Sequence, residues 1–344
     1  MKKYYKDMDI ARGIGIFLVV LGHSFPDDKF NNNPIYAYIY KFIYSFHMPL
    51  FFIISGFFAY KIYNILNLSQ YNKFIQGKFK RLMIPYFAIS LIAIPIKLYM
   101  NRYAARPIDL NNLIVDVLLY PAGNGTVYHT GTPIQYFWFI YTLFFIFAVA
   151  PLLNKIPIKV VLIITAILNI VHFKPMPLFY AWGVIHYLFY IYLGIYFNRI
   201  YEEYEKFKYK KLLVVIAFIA LVLINLKGVS AQFYNVYSLT TALIGSILFI
   251  NISYLISNNE LGEIFKYIGN YNYDIYLFSW FFQTGARVVL FQMLKLNYTF
   301  VTIMMLIAGL LPIILSDLII KKVSILDKIF LGNTRIESCG GKYE

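Results

Sequence analysis

Arg12 and His23 stand eleven residues apart in a run that is otherwise largely apolar. At 3.6 residues per turn that spacing is about three full turns, so both side chains share one helix face, roughly 16 Å apart along the axis. An imidazole, with an ordinary pKa near 6.5, is suited to taking the proton of a hydroxyl at neutral pH. A guanidinium is suited to holding an anion. Asp9 precedes Arg12 by three residues and can pair with it. Taken singly, each has a plainer account: Arg12 as a cation snorkelling to a membrane surface, His23 as a polar residue at a helix end. Ionised groups inside a membrane are costly, and three of them on one face point to function.

Other residues join this pair by type and position. His47 begins a second apolar segment and can approach His23; taken alone, a polar residue at a helix end is its plainer account. Ser55 and Gly56 lie deeper in that segment, where a serine lines a cavity or the pair permits close helix packing. Lys78, Lys80 and Arg81 form a basic stretch before Pro85. Tyr276, Ser279, Gln283 and Arg287 recur at helical spacing and form one polar stripe, which lines a cavity or meets a neighbouring polar helix; the cost of Arg287 in lipid favours the cavity. Trp138 can stack on a sugar ring or serve as an interfacial anchor. His172, Asp317 and Lys97 lie near segment ends and receive no role.

The elements that position these groups are membrane helices. Of 344 residues, 60% are hydrophobic and only 14% charged, whereas a soluble domain needs about a quarter of its residues charged. Segments of adequate length and apolarity fall at about 8–25, 42–63, 82–100, 135–154, 156–173, 178–198, 211–227, 236–256, 271–293 and 298–320. The sequence therefore predicts an all-α polytopic bundle of about ten transmembrane helices. The net charge of +15 would suit nucleic acid in a soluble protein. Here, with the N-terminus inside, Lys and Arg are about three times as frequent in inner as in outer segments, the signature of N-in and C-in topology. No nucleic-acid partner is expected. The basic N-terminus is interrupted by Asp9 and Arg12 and reads as a retained helix rather than a cleaved signal. Residues 1–330 form one membrane domain and 331–344 a short polar cytoplasmic tail. Cys339, the one cysteine, excludes an intramolecular disulfide framework. The outer segment 101–134 carries a short helix near 109–120, then a Gly-rich stretch and His129; the inner segment 64–81 is read as a loop.

Five segments together resemble the acyltransferase-3 family of membrane O-acyltransferases, in particular its glycan O-acetylase branch. They are Asp9-Ile10-Ala11-Arg12 through Gly22-His23, Phe46-His47-Met48-Pro49 through Ser55-Gly56-Phe57, Lys78 to Pro85, Tyr136-Phe137-Trp138-Phe139, and Tyr273-Asp274-Ile275-Tyr276-Leu277. Two positions depart from the family pattern: Lys78 stands where arginine is common, losing the bidentate fork, and Ser279 stands where histidine is frequent. The appended hydrolase-like domain of some members is not expected.

The resemblance implies transfer of an acyl group, most simply acetyl, from cytoplasmic acyl-CoA to a hydroxyl of a cell-surface or lipid-linked glycan at the cell membrane. It places His23, Arg12, Asp9 and His47 in catalysis and Arg12, Lys78 and Arg81 on the polyanionic donor, with acetyl-CoA as co-substrate and no metal. Ser55, Trp138, Tyr276, Ser279, Gln283 and Arg287 would line the substrate cavity. Membrane lipid and the acceptor glycan are the partners, and oligomeric state is left open. A transporter or flippase of lipid-linked saccharides is the competing class. The absence of an inverted repeat counts against it.

Overall fold

The computed structural model describes residues 4–332 apart from 28, 66, 100–107, 109, 124–130, 172–175 and 228–232. His129, His172 and Cys339 lie outside the described residues. Among the described residues the regular structure is all helical: α1 Lys6–Gly22, α2 Pro34–Tyr44, α3 His47–Phe58, α4 Leu68–Lys78, α5 Ile84–Tyr99, α6 Leu113–Leu119, α7 Trp138–Val149, α8 Ile158–Ile170 and α9 Ala181–Arg199. It continues through α10 Tyr201–Lys206, α11 Lys210–Leu226, α12 Tyr234–Leu255, α13 Glu260–Asn270, α14 Asn272–Ala286, α15 Tyr298–Leu310, α16 Pro312–Leu315 and α17 Ser324–Leu326.

Among the described residues, six helical stretches are long and apolar enough to cross a bilayer: Pro34–Phe58, Leu68–Tyr99, Gln135–Leu153, Leu178–Arg199, Tyr234–Leu255 and Tyr298–Ile320. The remaining expected segments are helical too. α1, α8 and α11 are shorter, and α14 continues as a π-helix over Arg287–Met293. Ile158–Ile170 is separated from Gln135–Leu153 by a turn, as Pro157 requires.

Three boundaries differ from the sequence reading, each for a local reason. The second span begins at Pro34, because Asn33 accepts a hydrogen bond from the Ile35 N–H (2.9 Å) and Pro34 occupies the first helical position. The inner segment 64–81 is largely helix rather than loop. Asn67 caps α4 by accepting from the Gln70 N–H (2.9 Å), and a π-turn over Phe79–Met83 carries α4 into α5. The polar stretch after α12 forms α13, capped by Asn259 on the Gly262 N–H (2.9 Å). Each cap was a legible Asn signal; those of Asn67 and Asn259 were obscured by the polar character of the helices they open.

Glycines set the closest helix crossings. A Cβ at Gly13 would stand 1.8 Å from the Phe265 carbonyl oxygen, and one at Gly269 would stand 2.2 Å from that of Asp9, so α1 and α13 touch backbone to backbone. Likewise a Cβ at Gly56 would lie 2.1 Å from the Ile191 oxygen and one at Gly194 1.9 Å from the Ile53 oxygen, bringing α3 onto α9. Small residues allow this approach where lipid supplies no hydrophobic drive. Elsewhere the interior is aromatic, with Tyr86, Tyr141, Tyr190, Tyr192, Phe52 and Phe137 fully buried. Two of these tyrosines bind α6 to the bundle: Tyr86 donates to the Val117 oxygen and Tyr141 to that of Leu118, both at 2.7 Å.

Candidate active site

His23 sits at the C-terminal end of α1, its backbone N–H still donating to the Val19 oxygen at 3.1 Å. Three other parts of the chain converge there. From α2, the Tyr44 hydroxyl lies 3.3 Å from His23 Nδ1 and 3.5 Å from Nε2. From the turn Gln135–Phe137, the Tyr136 ring packs on the imidazole with centroids 5.2 Å apart. From α14, Gln283 Nε2 donates to the Val20 oxygen (2.9 Å) and to Ser24 Oγ (3.1 Å), while Ser24 Oγ donates to the same Val20 oxygen (2.6 Å). The end of α1 is therefore sutured to α14 one turn below and one residue above the imidazole.

His47 is only 3% exposed and opens α3. Its ring stands edge-on to Tyr44, with centroids 4.7 Å apart. Nδ1 lies 2.9 Å from the Ile43 oxygen. A carbonyl can only accept, so Nδ1 carries the proton and the neutral ring keeps its lone pair on Nε2. Tyr44 thus lies between the two histidines.

The α14 stripe turns toward this cluster. Tyr276 donates to the Tyr136 carbonyl (2.7 Å), and the Ser279 and Tyr136 hydroxyls are 3.2 Å apart. The Trp280 N–H donates to the Tyr136 hydroxyl (2.8 Å). Tyr276, Ser279 and Gln283 therefore meet polar neighbours on α1 and the Tyr136 turn. Arg287 lies beyond them, where α14 becomes a π-helix. Trp138 is half-buried at the start of α7, stacked on Tyr187 with centroids 5.4 Å apart and edge-on to Tyr180 at 5.6 Å. Ser55 is half-buried eight residues along α3 from His47, about 12 Å farther down the helix axis.

The opposite end of α1 holds the cations. Arg12 Nη1 donates to Asp9 Oδ1 at 2.9 Å, and the guanidinium covers the Phe58 ring at 3.9 Å. Arg81 is near enough for its charge to act on Arg12. The π-turn over Phe79–Met83 displays Arg81, and its backbone is held by the Tyr273 hydroxyl, which donates to the Arg81 oxygen at 2.5 Å. π-turns within α-helices are frequent at functional sites because they re-aim side chains. Gly332, in the left-handed region at φ +64°, closes on the same point, where a Cβ would lie 2.6 Å from the Arg81 Cα. Lys78 turns away toward α7, its ammonium 3.9 Å from the centroid of Phe147. On the exposed face of α13, Glu263 is bound by Lys6 of α1 (2.6 Å) and by Lys266 (3.1 Å), which hold its carboxyl below the ordinary carboxylate range. Among the described residues, no three His, Cys, Asp or Glu side chains gather as a metal site.

Arg12 and His23 were legible as a pair from helical periodicity. Tyr44 was missed, although it lies three residues before His47 and so near one helix face with it. Ser24 was missed as well, for want of any pattern around it.

The fold and these two clusters define a multi-pass helical membrane protein with a basic end and a histidine end joined by one helix. The acyltransferase-3 family model, an acyltransferase domain, matches residues 5–320. The chain belongs to that family, and the protein is a membrane O-acyltransferase. No curated protein and no solved structure matches it.

Proposed function

We propose that the protein moves an acetyl group from cytoplasmic acetyl-CoA to a hydroxyl of a cell-surface or lipid-linked glycan, at the cell membrane. One observation carries this reading: α1 bears Arg12, paired with Asp9 and within range of the Arg81 charge, toward one end and His23, amid Tyr44, Tyr136 and His47, at the other. The two ends are roughly 16 Å apart along the helix, a span a pantetheine arm can bridge.

In this mechanism Arg12 and Arg81 hold the donor phosphates, with Lys78 adding charge nearby. The thioester carbonyl then reaches the histidine end. His23 takes the proton of the acceptor hydroxyl as its oxygen attacks the carbonyl carbon; the C–S bond breaks and the thiolate leaves with the electron pair. Asp9 orients Arg12. His47 orients the acceptor, and Trp138 contributes a face on which a sugar ring can stack. Membership of an acyltransferase family favours this chemistry over translocation of a saccharide. Mass spectrometry of surface glycans from cells with and without the protein tests it. The expected result is a mass difference equal to acetyl on the glycan. Identical glycan profiles would overturn the proposal, and a different acyl mass would correct the donor.

A further inference from the structure

We propose that Tyr44 is a positioning residue for His23, and that Gly22 and Tyr40 exist in their present form to place its hydroxyl. The inference rests on the reading of His23 as the base.

Among the described residues, the Tyr44 hydroxyl is the side-chain hydrogen-bonding neighbour of the His23 ring, nearer to Nδ1 (3.3 Å) than to Nε2 (3.5 Å). Three contacts hold it there. On one side its ring stacks on Tyr40, centroids 3.9 Å apart and planes 25° from parallel. On another it stands against His47, whose own ring is locked by the Ile43 carbonyl. On the third it presses onto α1 at Gly22, where a Cβ would come within 3.0 Å of Tyr44 Cε2. A side chain at position 22 would force that ring to give way. Gly22 and His23 are adjacent, so the glycine opens the approach beside the imidazole it serves. The last turn of α2 is fixed as well, by Ser45 Oγ donating to the Phe42 oxygen at 2.7 Å.

The chemical consequence concerns the tautomer. An imidazole acts as base through the nitrogen that lacks a proton, so the other must be held as N–H by an acceptor. A tyrosine oxygen can accept from a ring N–H, and in the proposed arrangement Tyr44 takes that part at Nδ1, the nearer of the two nitrogens. Nε2 then presents its lone pair, accepts the proton of the attacking hydroxyl, and afterwards returns it to the departing thiolate. Nδ1 keeps its own proton throughout. Without the oxygen, the ring can rotate and exchange tautomers, and a misplaced base loses rate steeply.

The test uses full-length protein in proteoliposomes, acetyl-CoA as donor and a total cell-envelope glycan fraction as acceptor. Tyr44→Phe should lower kcat by about tenfold, the rate equivalent of one lost hydrogen bond, with the KM for acetyl-CoA and the thermal midpoint in detergent unchanged. Gly22→Ala should lower kcat too, and add little to Tyr44→Phe, because both act on one hydroxyl. A readout independent of turnover is the nitrogen spectrum of histidine-labelled protein, with His23 assigned by its loss in His23→Gln. The wild type should show the Nδ1-protonated tautomer and Tyr44→Phe a mixture. An unchanged tautomer in Tyr44→Phe overturns the proposal, as does a loss of kcat accompanied by an equal change in KM or in stability. Normal transfer by His23→Ala would instead remove the base assignment, and Tyr44's role in catalysis with it, whatever the spectrum shows.

Discussion

His23 and His47 are the same side chain in different harness. His47 has Nδ1 committed to a carbonyl and is almost wholly buried; His23 ends its helix beside two tyrosines. His23→Ala should therefore reduce transfer by at least about a hundredfold, the usual share of a general base, while the protein still inserts and folds. His47→Ala should lose less; equal losses would mean that the two act as a unit. Arg12→Ala with Arg81→Ala should weaken coenzyme A binding, measured by calorimetry, with acceptor binding untouched. Unaltered coenzyme A affinity in that double variant removes the donor assignment. At this scale helical periodicity alone made Arg12, Asp9 and His23 readable. It was silent on Tyr44, twenty-one residues from His23, and on the Gln283 contact with Val20 across 263 residues, because a period describes one helix and not its crossings with others.

The elements owe their closeness to glycine. Gly13→Ala would drive a methyl group into the Phe265 carbonyl, 1.8 Å away, and overpacking of this kind costs about 1–3 kcal/mol. The expected outcome is a lower thermal midpoint and a displaced α13, seen as easier exchange of the Lys6 and Glu263 ion pair in cross-linking. An unchanged midpoint would show that the α1 and α13 contact is not a tight one. Apolar runs revealed that helices exist at all ten segments, and the tight turn between Gln135–Leu153 and Ile158–Ile170 followed from Pro157. They concealed α13 and most of α4, whose residues are too polar for a hydropathy signal and are helical through capping and packing. The π-turn at Phe79–Met83 had no sequence signature either. It arises where α4 runs on into α5 and Tyr273 ties down the Arg81 backbone.

For the molecule as a whole, the excess of Lys and Arg in alternate segments predicts both ends on the cytoplasmic side. Reporter fusions after Phe30, Tyr120 and Glu344 should read outside, outside and inside, and a C-terminal fusion active on the outer side would overturn that topology. Composition by itself determined that the chain lives in a membrane, since 14% charged residues cannot clothe a soluble surface of this size. The motifs around Arg12, His23 and His47 pointed to the family that residues 5–320 match. What only the tertiary structure decided is which groups meet. It laid Arg12, paired with Asp9, over the Phe58 ring, turned Lys78 toward Phe147, directed the α14 stripe onto Tyr136 and Ser24, and set Tyr44 between two histidines. Those meetings depend on helix crossings that glycines permit and on rotations of one helix about its axis against another. Neither leaves a mark in the order of residues along a single chain, because a lipid-facing and a partner-facing apolar side look the same in sequence.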